Sequence, residues 1–230
     1  AFNLFAKPET YGLGKALAGV VFATGLMLVI IAGGELFTGN TLITIGVLEK
    51  KIKLKDMLSN WFFVYLGNFV GAVFIAYMMN MSGLFNSGDN MLGGITLKIA
   101  AYKTHLTFSQ AFYLGIMCNW LVCIAVWMSY GAKDIIGKCF AIFFPISLFI
   151  TSGFEHSIAN MYYIPAGILA KSNASWVEAS GLTAEKLAHL NWNTFITKNL
   201  VPVTIGNIVG GVILVAGVYW FTYYKNSENA

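Results

Sequence analysis

Five apolar segments dominate the chain, at about Lys15 to Leu48, Met57 to Met81, Phe108 to Tyr130, Ile135 to Ala170 and Phe195 to Tyr224. Each approaches or exceeds the roughly 20 residues that a helix needs to cross a bilayer. With 57% hydrophobic and 10% charged residues and a mean hydropathy of +0.70, the chain has too little polar surface to coat a soluble globule of this size. The fold class that follows is an all-α polytopic membrane protein. A net charge of +4 does not imply a nucleic-acid partner, because the lysines cluster at the ends of the apolar runs and no basic stripe with interleaved aromatics occurs.

The first and fourth segments are too long for single straight spans, and each carries glycine and polar residues at its middle. These are Gly33-Gly34-Glu35 with Thr38-Gly39-Asn40, and Ser152-Gly153 with Glu155-His156 and Asn160. Both read as broken helices. Backbone that leaves helical geometry at membrane depth is tolerated only where protein or a water-filled cavity satisfies its polar groups. Lysines set the orientation. The basic loop Glu49 to Asp56, the turn holding Lys133 and Lys138, and Lys225 are expected on the cytoplasmic side. The loops Ser82 to Thr107 and Lys171 to Thr194, together with Ala1, are then expected outside.

The chain repeats itself. Asn60, Val64, Gly67, Asn68, Val70 and Gly71 recur at the same spacing as Asn199, Val203, Gly206, Asn207, Val209 and Gly210, and Glu35-x4-Asn40 recurs as Glu155-x4-Asn160. Each half holds a broken helix followed by a Gly-Asn helix, and matching helices run in opposite directions. The whole chain, 1–230, is read as one channel domain of inverted repeats, about 1–82 and 107–230. Paired interrupted helices of this kind place a transport site near the midplane at the repeat interface. The helix Phe108 to Tyr130 has no counterpart in the first half, so a further first span is expected, giving six with both ends cytoplasmic. A five-span chain is the alternative.

Within the breaks, His156 is the leading candidate for chemistry. Ionisable groups at membrane depth are costly and normally face a pathway, and an imidazole titrates near pH 6.5. If Gly39-Asn40 and His156-Ser157 begin the second half-helices, two helix N-termini point at the midplane and favour an anion. Glu35 and Glu155 occupy equivalent positions, and a bare carboxylate would repel an anion, so both are expected to be anchors, as are Asn40 and Asn160. Gly33, Gly34 and Gly153 permit the breaks, or alternatively close helix packing. Lys103 and Lys15 are candidates for the outer mouth, where a cation raises the local anion concentration; interfacial snorkelling is the other reading of each.

The runs Gly34 to Asn40, Asn119 to Trp127, Lys133 to Lys138 and Gly153 to Pro165 resemble the formate/nitrite transporter family of small-anion channels, and within it the bacterial hydrosulfide channel branch most. The resemblance implies an aquaporin-like protomer, a homopentamer with one pore per subunit in the inner (cytoplasmic) membrane, and passage of formate, nitrite or hydrosulfide without a cofactor. It implies that His156 lines the pore centre and pairs with Thr38. It also implies an outer constriction at Leu26 and Phe149 with Phe22 nearby, and an inner one at Leu36, Phe37, Asn119 and Val122. Apolar rings of this kind shed water and favour a neutral acid over a hydrated ion.

Other chemistry finds little support. Cys118, Cys123 and Cys139 lack metal-ligand spacing, and no phosphate-binding loop occurs, so neither a metal centre nor an ATP-driven pump is expected. A channel rather than an enzyme is the expectation. An alternating-access symporter and a non-transporting subunit of an enzyme complex are the alternatives.

Overall fold

The structure, a computed structural model, describes residues 8–225. The expectation that Ala1 lies outside falls beyond the described residues. Helix α1 spans Pro8–Ala32, the half-helix α2 spans Phe37–Leu48 with one tighter turn at Thr41–Ile43, and α3 spans Leu54–Met81. The region Ser82 to Thr107, expected to lie outside, is largely helical and holds α4, Met91–Thr104. Then come α5, Phe108–Gly131, α6, Ile135–Ser152, and the half-helix α7, Ser157–Ala170. Two short helices, α8, Ala174–Ser180, and α9, Ala184–His189, precede α10, Trp192–Tyr224. Five of these helices are long and apolar enough to cross a membrane.

Both long apolar runs are interrupted, as the sequence indicates. Gly33 and Gly153 take φ of 77° and 79°, a left-handed conformation that halts α1 and α6 at equivalent points. One correction concerns where the second halves begin. The first starts at Phe37, two residues before Gly39, because extended Leu36 (φ −126°, ψ 116°) is its N-cap. His156 (φ −111°, ψ 115°) occupies the same place before Ser157.

Small residues bring α5 and α10 together at the centre. A Cβ placed on Gly206 would lie 2.2 Å from the Phe112 carbonyl oxygen, and one on Gly210 would lie 2.3 Å from that of Ile116. Backbone meets backbone there, so no side chain can yield. In α10 the backbone widens into π-type turns over Gly210–Gly217, where Gly211 faces Thr41 and Asn119. The face of α3 carrying Phe62, Phe63, Leu66, Val70 and Phe74 is exposed and apolar, as a lipid-facing or subunit-facing surface must be.

On the side away from the basic loop, α4 packs beneath α7 around Leu97, Ala100, Met161 and Ile164. At its end the His105 and His189 rings meet with centroids 4.2 Å apart. Burial first, then the neighbouring His105 and Lys198, draw the His189 imidazole below its ordinary 6.5, with Glu185 opposing. The unfolded chain then binds the extra proton more readily. This contact is therefore fully stabilising above about pH 6.5 and weakens as pH falls toward the lowered value.

Two expectations follow from this packing. Gly206→Ala should destabilise the fold by about 1–3 kcal/mol, read as a lower melting temperature in detergent, whereas Gly12→Ala, which meets nothing within 4 Å, should not. The protection of amides across Ala184–His189, taken relative to the intrinsic exchange rate at each pH, should fall on acidification from about pH 7 to about pH 5, and His189→Gln should flatten that response.

Candidate functional site

An interrupted helix inside a membrane leaves amides and carbonyls that lipid cannot satisfy, each unpaired group costing several kcal/mol. Here equivalent asparagines of the two repeats satisfy the two breaks. At the first, the Asn68 carbonyl oxygen accepts from the Phe37 N–H at 3.0 Å while its amide donates to the Glu35 carbonyl at 3.0 Å. At the second, Asn207 accepts from the Ser157 N–H at 2.9 Å and donates to the Glu155 carbonyl at 3.0 Å. The acidic side chains are matched as well. Asn40 donates to Glu35 at 2.5 Å and to Asn60 at 2.8 Å; Asn160 donates to Glu155 at 2.6 Å and to Asn199 at 2.7 Å. The leading amide of each half-helix is therefore already taken by an asparagine, which reduces what the N-termini can offer an anion.

Asn119 ties the two breaks together. Its amide lies 3.2 Å from the Thr38 carbonyl and 2.7 Å from the Asn207 carbonyl, and reaches the Thr41 hydroxyl at 3.2 Å.

Symmetry fails at two places. Leu36 faces His156 across the repeat, and Glu155 has a cation that Glu35 lacks. The Lys103 ammonium lies 2.7 Å from Glu155 Oε1, with the two side chains 13% and 2% exposed. Lys103 is thus not a free cation at the outer mouth. It is held inside the protein at the second break, because α4 is a helix packed on α7 and delivers its last turn there.

His156 is aimed by its own backbone. Its Nδ1 accepts the Ala159 N–H at 3.0 Å, so in the neutral ring the proton resides on Nε2. Nε2 lies 2.8 Å from Thr38 Oγ1 and donates to it. Adding a proton to Nδ1 would set two donors against each other.

The ring faces a cavity of about 210 Å³ lined by Phe22, Leu26, Val29, Leu36, Val122 and Phe149, besides His156. Phe22 meets Phe149 edge-on at 5.6 Å. Leu26, Val29 and Leu36 also border a second cavity of about 250 Å³, toward the basic-loop side, into which Gly33, Gly34, Glu35, Asn40 and Tyr130 open. Of the pathway residues expected from sequence, His156, Leu26, Phe149, Phe22, Leu36 and Val122 are brought around one chamber, with Thr38 behind the imidazole. Two are not. The Phe37 ring turns away toward Trp61 and Tyr65, at 5.8 and 4.8 Å, and Asn119 is fully buried as a crosslink. Val29 was missed, although Phe22, Leu26 and Val29 form an i, i+4, i+7 stripe that marks one helix face.

The formate/nitrite transporter profile matches residues 2–221. The chain belongs to the formate/nitrite transporter family. It is 41% identical over 222 residues to the formate channel FocA of Escherichia coli (strain K12), covering 95% of this chain and 78% of that protein. To the formate channel FocA of Haemophilus influenzae it is 45% identical over 227 residues, covering 95% and 80%. Among solved structures, a pentameric formate channel with formate bound aligns with a TM-score of 0.83 at 42% identity, over 94% of this chain and 85% of that one. An ion channel of the same family aligns with a TM-score of 0.74 at 32% identity, over 96% and 82%. This family member is a multi-pass membrane protein whose relatives are channels and transporters rather than enzymes.

A buried ion pair is costly to break from one side only. Lys103→Met should cost about 3–5 kcal/mol, since Glu155 would be left charged and without its cation. The double variant Lys103→Met/Glu155→Gln should recover part of the loss in a thermal melt of the detergent-solubilised protein.

Proposed function

We propose that the protein is a pore for small monovalent anions and their conjugate acids, with formate the leading substrate and nitrite and hydrosulfide of the same charge class. It works as a homopentamer in the cytoplasmic membrane, with one pore in each subunit and the basic loop facing the cytoplasm. The observation that carries this reading is the single polar donor in an apolar chamber: His156 Nε2, 2.8 Å from Thr38 Oγ1, between Phe22, Leu26, Leu36 and Phe149. The formate channels among the relatives, one of them a pentamer with formate bound, support the substrate and the assembly.

The chamber walls make a fully hydrated ion unfavourable, because no side chain there replaces its water. A hydrogen bond from Nε2 gives the anion one strong partner as it loses hydration, and the proton that neutralises the charge lowers the barrier further. Donating a hydrogen bond leaves the imidazole neutral and its Ala159 contact intact. Transferring a proton from the ring requires an imidazolium, hence loss of that contact. The geometry thus favours His156 as a hydrogen-bond donor to an acid that carries its own proton. Glu35, Glu155, Asn40 and Asn160 act as scaffold around the breaks.

His156→Ala should lower formate flux about 10- to 100-fold, the worth of one hydrogen bond to a charged group. The measurement is flux in proteoliposomes from about pH 5 to 8. Unchanged flux and pH profile for formate, nitrite and hydrosulfide would remove the histidine from the mechanism. Thr38→Ala releases Nε2–H from its protein acceptor and should change the permeability ratios among the three anions; identical ratios would count against the Thr38–His156 pair as a selective element.

A further inference from the structure

Lys103 is neutralised by Glu155, so it offers little net charge to an arriving anion. Lys15 differs. It is half-buried on α1, seven residues before Phe22 and so about 10 Å farther out along the helix axis. It shares the face that carries Gly19, Phe22, Leu26 and Val29: Gly19 abuts α6 at Ser147, and the next three line the chamber. The ammonium reaches the end of α6, 3.4 Å from the Ile150 carbonyl oxygen, and lies 2.9 Å from where a Cβ on Gly153 would be. No carboxylate of the described residues lies within 4 Å of it, and the charged groups that act on it are Lys103 and, more weakly and with the opposite sign, Glu155.

We infer that Lys15 is a cation set on the chamber-facing stripe of α1 to concentrate anions just outside the Phe22–Phe149 pair. The inference rests on the anion-pore reading above and adds a residue that binds the substrate before the constriction. The ammonium keeps two N–H donors beyond its bond to Ile150. A unit charge met at about 5 Å through water multiplies the local anion concentration about three- to fivefold when salt is low. Gly153 is required in this position for space as well as for its backbone, since a side chain there would displace the ammonium.

The test compares wild type, Lys15→Gln and Lys15→Arg for formate flux in proteoliposomes at ionic strengths of about 0.01 M and about 1 M, where charges are felt over about 30 Å and about 3 Å. Lys15→Gln should raise the half-saturating formate concentration about three- to fivefold at low salt and hardly at high salt, with maximal flux unchanged; Lys15→Arg should track wild type. Glutamine can still donate to Ile150, so a lysine that merely caps α6 would leave half-saturation the same at both salts, which overturns the inference. Should Lys15→Gln not assemble, Lys15→Cys in a Cys139→Ser background can be labelled after assembly with cationic or anionic methanethiosulfonates. The cationic label should restore low-salt affinity and the anionic one depress it further, and equal effects would overturn the inference. A wild-type protein that passes no small anion would overturn both readings. Normal wild-type flux with an unaltered Lys15→Gln at low salt would overturn only this one.

Discussion

Everything in this molecule depends on satisfying backbone that has been taken out of helical hydrogen bonding inside a membrane. Two glycines open the breaks, and two asparagines on other helices close them chemically: Asn68 on α3 and Asn207 on α10, each accepting from a half-helix amide and donating to the carbonyl of a glutamate. Because these clamps are side-chain amides, with one acceptor and one donor end, they can bridge an N–H and a C=O at once. The tight Gly206 and Gly210 contacts with α5 bring α10 close enough for Asn207 to reach. Packing, hydrogen bonding and pore geometry are thus one problem with one solution.

Duplication explains the scaffold, and departures from duplication explain the chemistry. The Glu-Asn-Asn clusters are copies of one another, while His156 against Leu36 is not. Among the described residues, only the second break carries a cation, and only its glutamate is enclosed. Glu35 opens on the cavity toward the basic loop, whereas Glu155 is shielded by Lys103, Asn160 and Asn199. On the pore reading proposed above, an unshielded carboxylate near the narrowest part would repel an anion, and pairing Glu155 with Lys103 would avoid that.

Much of this was legible in the residues. Apolar run lengths gave the spans, the Gly-Asn repeats gave the pseudo-symmetry, and an ionisable group at membrane depth within a break singled out the histidine. The failures have physical causes. Lys103 looked peripheral because a short amphiphilic helix following a span reads as a loop, and only tertiary packing shows that α4 turns its last turn inward. The resemblance places Phe37 and Asn119 on the pathway, but helix rotation decides which way a side chain points, and one residue alters that by about 100°. The start of α2 at Phe37 could not be read from composition, since leucine has no preference for the N-cap and its extended backbone is imposed by the Asn68 clamp.

The Ala159 contact of His156 has a kinetic side. Because Nδ1 is engaged three residues along its own chain, the ring's orientation is set by its own helix, and Nε2–H rests on Thr38 Oγ1. A new acceptor at Nε2 would replace the Thr38 hydroxyl, exchanging one hydrogen bond for another while the Ala159 contact keeps the ring in place. Such a donor would hold a guest only by the difference between the new bond and the Thr38 bond it replaces. On the pore reading proposed above, such an exchange gives recognition with a short residence time, because a single imidazole is anchored to the helix that it caps.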